Sequence, residues 1–422
     1  DHSGHNHAPP AGFVELSAPA RDAAARIIIQ DYRGRMKPFD TMAREMVMKI
    51  AKRTKFEGRH PVDQYLSWTL NPYFWLDKPV IAVRYPGLKD LLGVDHSVKH
   101  VSYNSLITQD GQYRLSQAVS DAHRTPDRDR TKTQRKLISF DERFQLLNMT
   151  FRGYNLKMYP IPGDDNNTWV AFDEVVSQLN AEQQAAYRAA FASLSQGVDT
   201  GNNAMIMDGL TRTRALQEHY GAEVIPSEMT TDAELFYNKS HIFSWMMIPL
   251  LGTFCVLMPV FLWNLFRNRN ARISFKNPFY SLGLAMFIIA FVGMIVGYTM
   301  RWIASERIPI SNGHESLLFI SLSVALAGII FEFIYRQGFP GALGGLLTTI
   351  VLGVSMLSTF DPAIGPLVPV LVSYWLNIHV TIITSSYGFL GLGALIGALT
   401  LLLLLVKGPG KEDLREAITT LD

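Results

Sequence analysis

The sequence predicts an α-helical membrane protein with about five transmembrane helices and a mostly helical, mixed α+β external soluble domain. The charge distribution is the first observation behind this prediction. Residues 1–239 contain 29 basic and 29 acidic side chains, whereas residues 240–422 contain only 10 basic and 8 acidic ones. The second observation is a series of long uncharged stretches after Ser240, since about 20 apolar residues cross a bilayer as a helix. The formally neutral first part gives no reason to expect nucleic-acid binding.

Five apolar stretches define the predicted transmembrane domain, residues 241–406. They are Ile242 to Phe266, Phe279 to Met300, Ser316 to Phe331, Gly341 to Ser358 and Val380 to Val406. The third and fourth are near the lower length limit, and the glycines of the fourth favour close packing against neighbouring helices.

Basic residues in alternate connections predict the orientation of these helices. One side carries Arg267, Arg269, Arg272, Lys276, Arg336, Lys407, Lys411 and Arg415, whereas the opposite side mixes basic with acidic residues. The positive-inside rule therefore predicts a cytoplasmic tail at residues 407–422 and an external domain at residues 26–240.

The first 25 residues, rich in His, Pro and Ala, predict a disordered tail in which His2, His5 and His7 are close enough to bind a stray metal ion. The external domain then begins with a strand and turn at 26–38, and helices are predicted from Asp40 and from Pro61. A short strand is expected at 79–85.

The second half of the external domain begins with an unusual segment. Residues 123–136 contain no apolar side chain beyond the threonine methyls, which predicts a solvated loop or linker. A helix is expected at 140–150, a strand at 156–162 and two or three helices at 172–219. Thr231 and Glu234 fit a capping box, and the absence of Gly or Pro between them and the first span predicts one unbroken helix from Thr231 through the bilayer.

Common catalytic and metal-binding motifs are missing from the sequence. There is no HExxH pattern, P-loop, nucleophile elbow or dinucleotide fingerprint, and the single Cys255 excludes an intramolecular disulfide. The oxygen-rich run 164–167 has calcium-type ligands without EF-hand spacing, which favours an Asx-rich turn.

The two external connections of the membrane part carry the most informative residues. His379 follows an apolar connection interrupted by prolines, in which Val368 to Trp375 is predicted to lie along the membrane surface, and an imidazole at this helix mouth is able to coordinate iron. His314 lies at the outer mouth of the third span, so the two histidines alone form a candidate bis-imidazole site. A simple interfacial role for either histidine, and helix capping by Glu315, are the alternatives.

Four segments resemble a known family. SYWLNIHVTIITSSYGF (373–389) and RIPISNGHESLLF (307–319) are similar to the external histidine region of system II cytochrome c synthases, the CcsBA (ResB/ResC-like) proteins that attach heme to apocytochrome c. GRMKPFDT (34–41) and FDERFQLLNMTFRGYNLKMYPIPGDDNNTW (140–169) are similar to periplasmic stretches of fused members.

This resemblance implies how heme would be held. Heme b is the expected substrate, and His379 corresponds to the first of two external histidines that ligate its iron. Tyr374 and Trp375 would line the approach, and Arg301 and Arg307 would meet the propionates, with membrane anchoring as the alternative for both arginines. His314 is kept as a candidate heme contact.

The resemblance also implies a location and a set of partners. The expected location is the bacterial inner membrane with the large domain in the periplasm. The expected partners are apocytochrome c, heme, thiol-reducing proteins, the lipid bilayer and the remaining part of the synthase.

The chain departs from the family pattern in three ways. The Trp-rich segment expected beyond the fifth span, the second external histidine and the paired transmembrane histidines are not identifiable. The chain is therefore expected to be a central portion of a synthase, with lyase activity only when the C-terminal part is present.

Two other functions fit the same composition. A membrane subunit of a respiratory quinol dehydrogenase would need histidines stacked inside the spans, which the sequence lacks. A non-enzymatic assembly scaffold with an external domain would need no heme ligand at all.

Overall fold

The computed structural model describes residues 15–267, 272–357, 359–366 and 373–407. Two compact units divide the chain, the first ending at Thr231 and the second beginning at Asp232. The expected metal-binding histidines of the N-terminal tail and most of the expected cytoplasmic tail lie outside the described residues.

The first unit is mostly helical and contains three separate two-stranded antiparallel sheets among its described residues. Its elements are α1 Ala18–Arg26, β1 Ile28–Gln30, β2 Met36–Pro38, α2 Phe39–Ala51, α3 Pro61–Leu70, β3 Ile81–Ala82, α4 Pro86–Leu92, β4 His100–Val101, α5 Ser116–Arg124, α6 Lys132–Phe151, β5 Tyr159–Pro160, β6 Trp169–Val170, α7 Phe172–Val176, α8 Ala181–Thr200 and α9 Asn203–Tyr220. The mixed α+β prediction for this part is therefore confirmed.

Local sequence signals explain the first elements. The β1–β2 hairpin pairs Ile29 with Lys37 and turns at Gly34, whose φ of 83° suits glycine. α2 then buries Val47 and Ile50 on one face, and Pro61 occupies the first turn of α3 as expected.

The predicted disordered tail reaches too far along the chain. Residues 18–25 belong to α1, whose N-cap Ser17 accepts a hydrogen bond from the backbone N–H of Ala20. The alanines of α1 are strong helix formers, and Ala20, Ala24 and Ala25 are buried, so packing stabilises the helix.

The predicted loop at 123–136 is wrong at both ends, because His123 and Arg124 end α5 and the last five residues belong to α6. α6 begins at Lys132, because Thr131 and Gln134 form a reciprocal capping box. Charged and polar side chains cover the first five residues of α6, and the apolar face begins only at Leu137. The start of α6 was missed because its first residues are all polar and therefore resemble a loop.

Three helices occupy 172–219, as the sequence predicts, and glycines set the contact between α8 and α9. A Cβ on Gly209 would lie 2.5 Å from the backbone nitrogen of Leu194, and one on Gly197 would lie 2.7 Å from that of Ile206. The two helix backbones therefore approach each other more closely than alanine would allow.

The second unit contains the apolar helices. They are α10 Glu228–Ser240, which begins in the first unit, α11 Ile242–Phe266, α12 Pro278–Ser305, α13 Gly313–Tyr335, α14 Phe339–Ser355 and α15 Tyr374–Lys407. Four of them, α11, α12, α13 and α15, are long and apolar enough to cross a membrane, which makes the chain a multi-pass membrane protein. α14 is apolar but has only 17 residues, the lower limit for a span.

Small residues bring these helices together. A Cβ on Gly344 of α14 would lie 3.0 Å from the Cα of Gly328 of α13, and one on Gly345 would lie 2.8 Å from the carbonyl oxygen of Leu250 of α11. The close packing predicted from the α14 glycines is confirmed, and α14 lies between α11 and α13.

The predicted continuous helix from Thr231 is wrong. α10 begins earlier, where Ser227 Oγ accepts from the backbone N–H of Thr230, and it ends at Ser240. His241 then takes a left-handed conformation with φ 45° and ψ 37° before α11 starts. Histidine adopts this conformation more readily than most side chains, so the break needs no Gly or Pro.

The fifth apolar helix also starts earlier than predicted. α15 begins at Tyr374 rather than near Val380, so Tyr374 and Trp375 lie in its first turn and not in a segment along the membrane surface. Residues 368–372 of the segment predicted along the membrane surface lie outside the described residues.

The helix bundle has two ends, which are named here by their buried carboxylates. At the Glu332 end, Glu332 accepts hydrogen bonds from Tyr280 Oη at 2.8 Å and from the backbone N–H groups of Gly338 and Gly341, both at 2.9 Å. These bonds fix the turn from α13 into α14. The Glu315 end is formed by the opposite termini of the helices.

Candidate functional site

Glu315 lies in the first turn of α13 and is completely buried. Its Oε1 accepts from Arg301 Nη2 at 2.9 Å, and its Oε2 accepts from Arg307 Nη1 at 3.1 Å. Ser311 adds its backbone N–H at 2.9 Å and its hydroxyl at 2.8 Å to Oε2. The carboxylate therefore joins two cations that come from α12 and from the α12–α13 connection.

Helix capping explains only part of this position. The backbone N–H of Glu315 donates to Oδ1 of Asn312, which is the N-cap of α13. An acidic residue in a first helical turn is favoured by the helix dipole. The side chain of Glu315, however, is used for the arginines, so solvated capping does not describe it.

Arg301 is the most enclosed cation of the site, with no exposed surface. Besides Glu315, its Nη1 donates to the hydroxyl of Tyr237 at 3.2 Å and to the carbonyl oxygen of Pro362 at 3.0 Å. Its guanidinium also lies 5.5 Å from the centre of the Tyr237 ring. These partners occupy the donors that the sequence assigned to a heme propionate.

Arg307 makes the same kind of bridge but keeps some access to solvent. Its side chain is 15% exposed, and its Nη2 donates to the carbonyl oxygen of Gly365 at 3.1 Å. Arg301 and Arg307 thus both hold Glu315, and each donates to a carbonyl of the α14–α15 connection. The planar guanidinium, with several donors in one fork, suits this double contact.

His314 faces α14 rather than solvent. It is 7% exposed, and its Nδ1 lies 2.9 Å from the carbonyl oxygen of Ser355, the last residue of α14. An Nδ1–H donor to this terminal carbonyl satisfies one of the helix-end acceptors and leaves Nε2 unprotonated.

His379 lies in the second turn of α15 and is exposed. Trp375, four residues earlier, is 76% exposed, and residues at this spacing share one face of a helix. The ring of Tyr374, 74% exposed, contacts the Trp375 ring edge-on at 5.8 Å between centroids. α15 therefore presents an imidazole and two aromatic rings in its first two turns.

No group of three or more His, Cys, Asp or Glu side chains is placed to hold a metal ion in the parts of the chain that the structure describes. The oxygen-rich run instead forms the expected turn: Oδ2 of Asp164 accepts from the backbone N–H of Thr168 at 2.8 Å. Hydrogen bonds from Thr168 lower the pKa of Asp164.

The sequence identified Arg301, Arg307, His314 and Glu315 singly but not as a connected set. The structure brings Arg301, Arg307 and Glu315 together. His314, next to Glu315 on α13, contacts the C-terminal carbonyl of α14 instead. Tyr237 was missed, because an aromatic residue at the end of a polar helix carries no signal of its partner. An arginine within an apolar stretch was the available clue, since such a charge requires a counter-ion.

Part of this site lies in a region that matches a known protein family. A family model described as Cytochrome C assembly protein matches residues 310–417, which include Glu315, Trp375 and His379. Protein NrfI of Wolinella succinogenes is 32% identical over 394 residues, covering 93% of this chain and 43% of that protein.

Shorter matches are found with other proteins of cytochrome c biogenesis. Cytochrome c biogenesis protein CcsA of Guillardia theta is 33% identical over 131 residues, 31% of this chain and 43% of that protein. The protein of the same name from Gloeobacter violaceus is 35% identical over 122 residues, 28% of this chain and 35% of that protein. The chain thus spans less than half the length of each of these curated relatives.

Proposed function

The chain belongs to the cytochrome c biogenesis family of system II, CcsA-like proteins, and we propose that it holds heme at the Glu315 end for covalent attachment to apocytochrome c. The observation that carries this proposal is the exposed His379 with Trp375 on the same helix face, within the region matched by the family. An imidazole is a normal axial ligand of heme iron, and an aromatic ring at helical spacing gives the flat porphyrin a surface to pack on.

The chemistry asks for positioning more than for acid and base groups. Each of two client cysteine thiols adds across a vinyl group of heme, forming a carbon–sulfur bond while the thiol hydrogen is transferred to the other vinyl carbon. Holding the heme edge and the thiols together makes these additions effectively intramolecular. A rigid axial ligand on α15 is what this chain contributes. Thiol-reducing proteins are proposed as partners because the thiols must be free.

Arg307 is the cation proposed to meet a heme propionate. It retains 15% side-chain exposure, whereas Arg301 is fully buried and already donates to three partners. A guanidinium binds a carboxylate through two parallel hydrogen bonds. Arg301 is therefore proposed to support the site from behind.

The second axial ligand is proposed to come from sequence outside this chain. His314 is the internal alternative, since its Nδ1 contact with Ser355 leaves Nε2 as an acceptor, but its burial against α14 favours a helix-end role. We further propose that the lyase activity needs the remaining part of the synthase, and that the Glu315 end faces the periplasm of a bacterial inner membrane.

The family match favours this function over a quinol dehydrogenase subunit or a non-enzymatic scaffold. Heme transfer to a client cytochrome is the property that separates them. Oxidation of quinol without such transfer would support the dehydrogenase, and purification without any pigment would support the scaffold.

The test introduces His379→Gly into the full-length protein, which is produced in cells and purified in detergent. We expect loss of the native heme spectrum and of cytochrome c maturation, with recovery of both when imidazole is supplied. His241→Gly is the matched control, because His241 is also exposed at this end and its φ of 45° suits glycine. Normal maturation and an unchanged spectrum in His379→Gly would refute the assignment.

A further inference from the structure

We propose that Glu315 is a positioning residue for heme: through Arg301 and Arg307 it fixes the connection that leads into α15 and so sets the geometry at His379. This inference rests on the proposed function, because it concerns the same heme site. The structure supports it in three steps.

The first step is that one carboxylate orients both arginines. Oε1 of Glu315 receives Nε of Arg301 at 3.3 Å and Nη2 at 2.9 Å, whereas Oε2 receives Arg307 and both donors of Ser311. The two guanidinium groups therefore approach opposite oxygens of a single fully buried group. Without its charge, two cations would remain in a site closed to water on the Arg301 side.

The second step is that both arginines reach the same connection. Arg301 donates to the carbonyl oxygen of Pro362, and Arg307 donates to that of Gly365, three residues further along. The connection is also held at its start, since a Cβ on Gly313 would lie 2.9 Å from the Phe360 ring. The backbone from 360 to 365 is thereby fixed at three points beside the N-terminus of α13.

The third step is the position of this connection in the chain. The next helix among the described residues is α15, whose first two turns carry Trp375 and His379. We expect a shift of the backbone at 360–365 to displace the start of α15, and a misplacement of about 1 Å can cost about a hundredfold in a reaction that depends on positioning. Glu315 touches no part of heme in this scheme and acts only through the arginines.

Glu332 provides an internal comparison on the same helix. It is as completely buried as Glu315, but it accepts from Tyr280, Gly338 and Gly341 at the opposite end of the bundle. Glu332→Gln therefore changes a buried carboxyl group of α13 without touching the connection into α15.

The experiment measures imidazole binding in a His379→Gly background, where free imidazole replaces the missing ligand. We expect Glu315→Gln to raise the Kd for imidazole at least tenfold and to broaden the reduced-heme absorption bands in the His379 protein. Glu315→Asp, which keeps the charge on a shorter side chain, is expected to recover part of the affinity. Glu332→Gln is expected to leave both readouts unchanged.

The outcomes separate this inference from the proposed function. If His379→Gly alone keeps the native spectrum, the proposed function fails. If His379→Gly loses the spectrum while Glu315→Gln keeps both the native spectrum and the imidazole Kd, only the positioning role fails. An equal loss of affinity in Glu332→Gln would also overturn the positioning role, because it would indicate a general loss of helix packing.

Ser311→Ala covers the case in which Glu315→Gln does not fold. It keeps all three charges and removes only the hydroxyl that donates to Oε2 at 2.8 Å. A Kd for imidazole raised about threefold is expected, and an unchanged Kd would count against the proposal.

Discussion

Charge balance at the Glu315 end predicts that two single substitutions have unequal effects on stability. The site contains two arginines and one glutamate, of which Arg301 and Glu315 have no exposed surface. Glu315→Gln leaves two cations together without a counter-ion. Arg301→Gln leaves the Arg307–Glu315 pair, which is neutral as a whole. The first substitution is therefore expected to destabilise the protein more than the second.

The magnitudes follow from the contacts. Removing one partner of a buried ion pair costs about 3–5 kcal/mol. Arg301→Gln mainly deprives Tyr237 and Pro362 of a donor, and because both contacts are only partly buried, the loss stays within the roughly 1–3 kcal/mol of a buried acceptor left without a donor. Since 1 kcal/mol shifts the midpoint by about 2–4 °C in a unit of this size, the apparent Tm should fall by about 10 °C for Glu315→Gln and by about 5 °C for Arg301→Gln.

The assay is thermal unfolding in detergent, followed by tryptophan fluorescence at one scan rate for all variants. The double variant Arg301→Gln, Glu315→Gln completes a cycle and should be more stable than the sum of the single losses predicts, because only the partly exposed Arg307 remains charged. Equal midpoints for the two single variants, or a lower one for Arg301→Gln, would show that charge balance does not govern this site.

Three further predictions concern other parts of the chain. Gly209→Ala should lower the Tm by several degrees, because its Cβ would meet the backbone nitrogen of Leu194 at 2.5 Å; limited proteolysis within α8–α9 checks this, and resistance equal to the wild type would contradict it. Burial lowers the pKa of His100, so its contribution to stability is complete above about pH 6.5 and is lost as the pH falls below that value; His100→Asn should flatten the decline of Tm between about pH 6.5 and 5, and an unchanged slope would refute this. Glu332→Gln should weaken the turn from α13 into α14, seen as faster backbone hydrogen exchange there, whereas unchanged exchange would show that Tyr280 and the glycines do not depend on the charge.

Periodicity and caps predicted most elements of the first unit, and the exceptions have physical causes. The α2 and α3 helices and the first hairpin carry apolar residues at the spacing of a buried face. α6 begins with five polar residues, so only its capping box, Thr131 with Gln134, marked the start. α1 was missed for a different reason. Its alanines and its proline are typical of an unstructured segment, and the helix is recognisable only from the burial of the alanines in the folded domain.

The membrane part shows the same division between what composition predicts and what single residues decide. Lengths of apolar sequence predicted the helices, and the glycines of α14 predicted close packing. The break at His241 depends on one backbone conformation that leaves no trace in composition. The early start of α15 was missed because exposed tyrosine and tryptophan suit a membrane surface as well as a first helical turn.

The sequence predicted only those contacts of the candidate site whose residues are close together along the chain. His379 and Trp375 share a helix face by their spacing alone, whereas Arg301 reaches Glu315 across one connection and Pro362 across two helices. The two ends of the bundle differ in this respect. At the Glu332 end, the α11–α12 and α13–α14 connections meet through a hydrogen bond from the backbone N–H of Ile273 to the carbonyl oxygen of Arg336. Such a backbone bond does not depend on the side chains at these positions. At the Glu315 end, the connections meet through side-chain charges, which a single substitution removes. A buried ion pair is a costlier way to join two connections than a backbone hydrogen bond, so its use at the end that carries His379 is most simply explained by a demand for precise placement there.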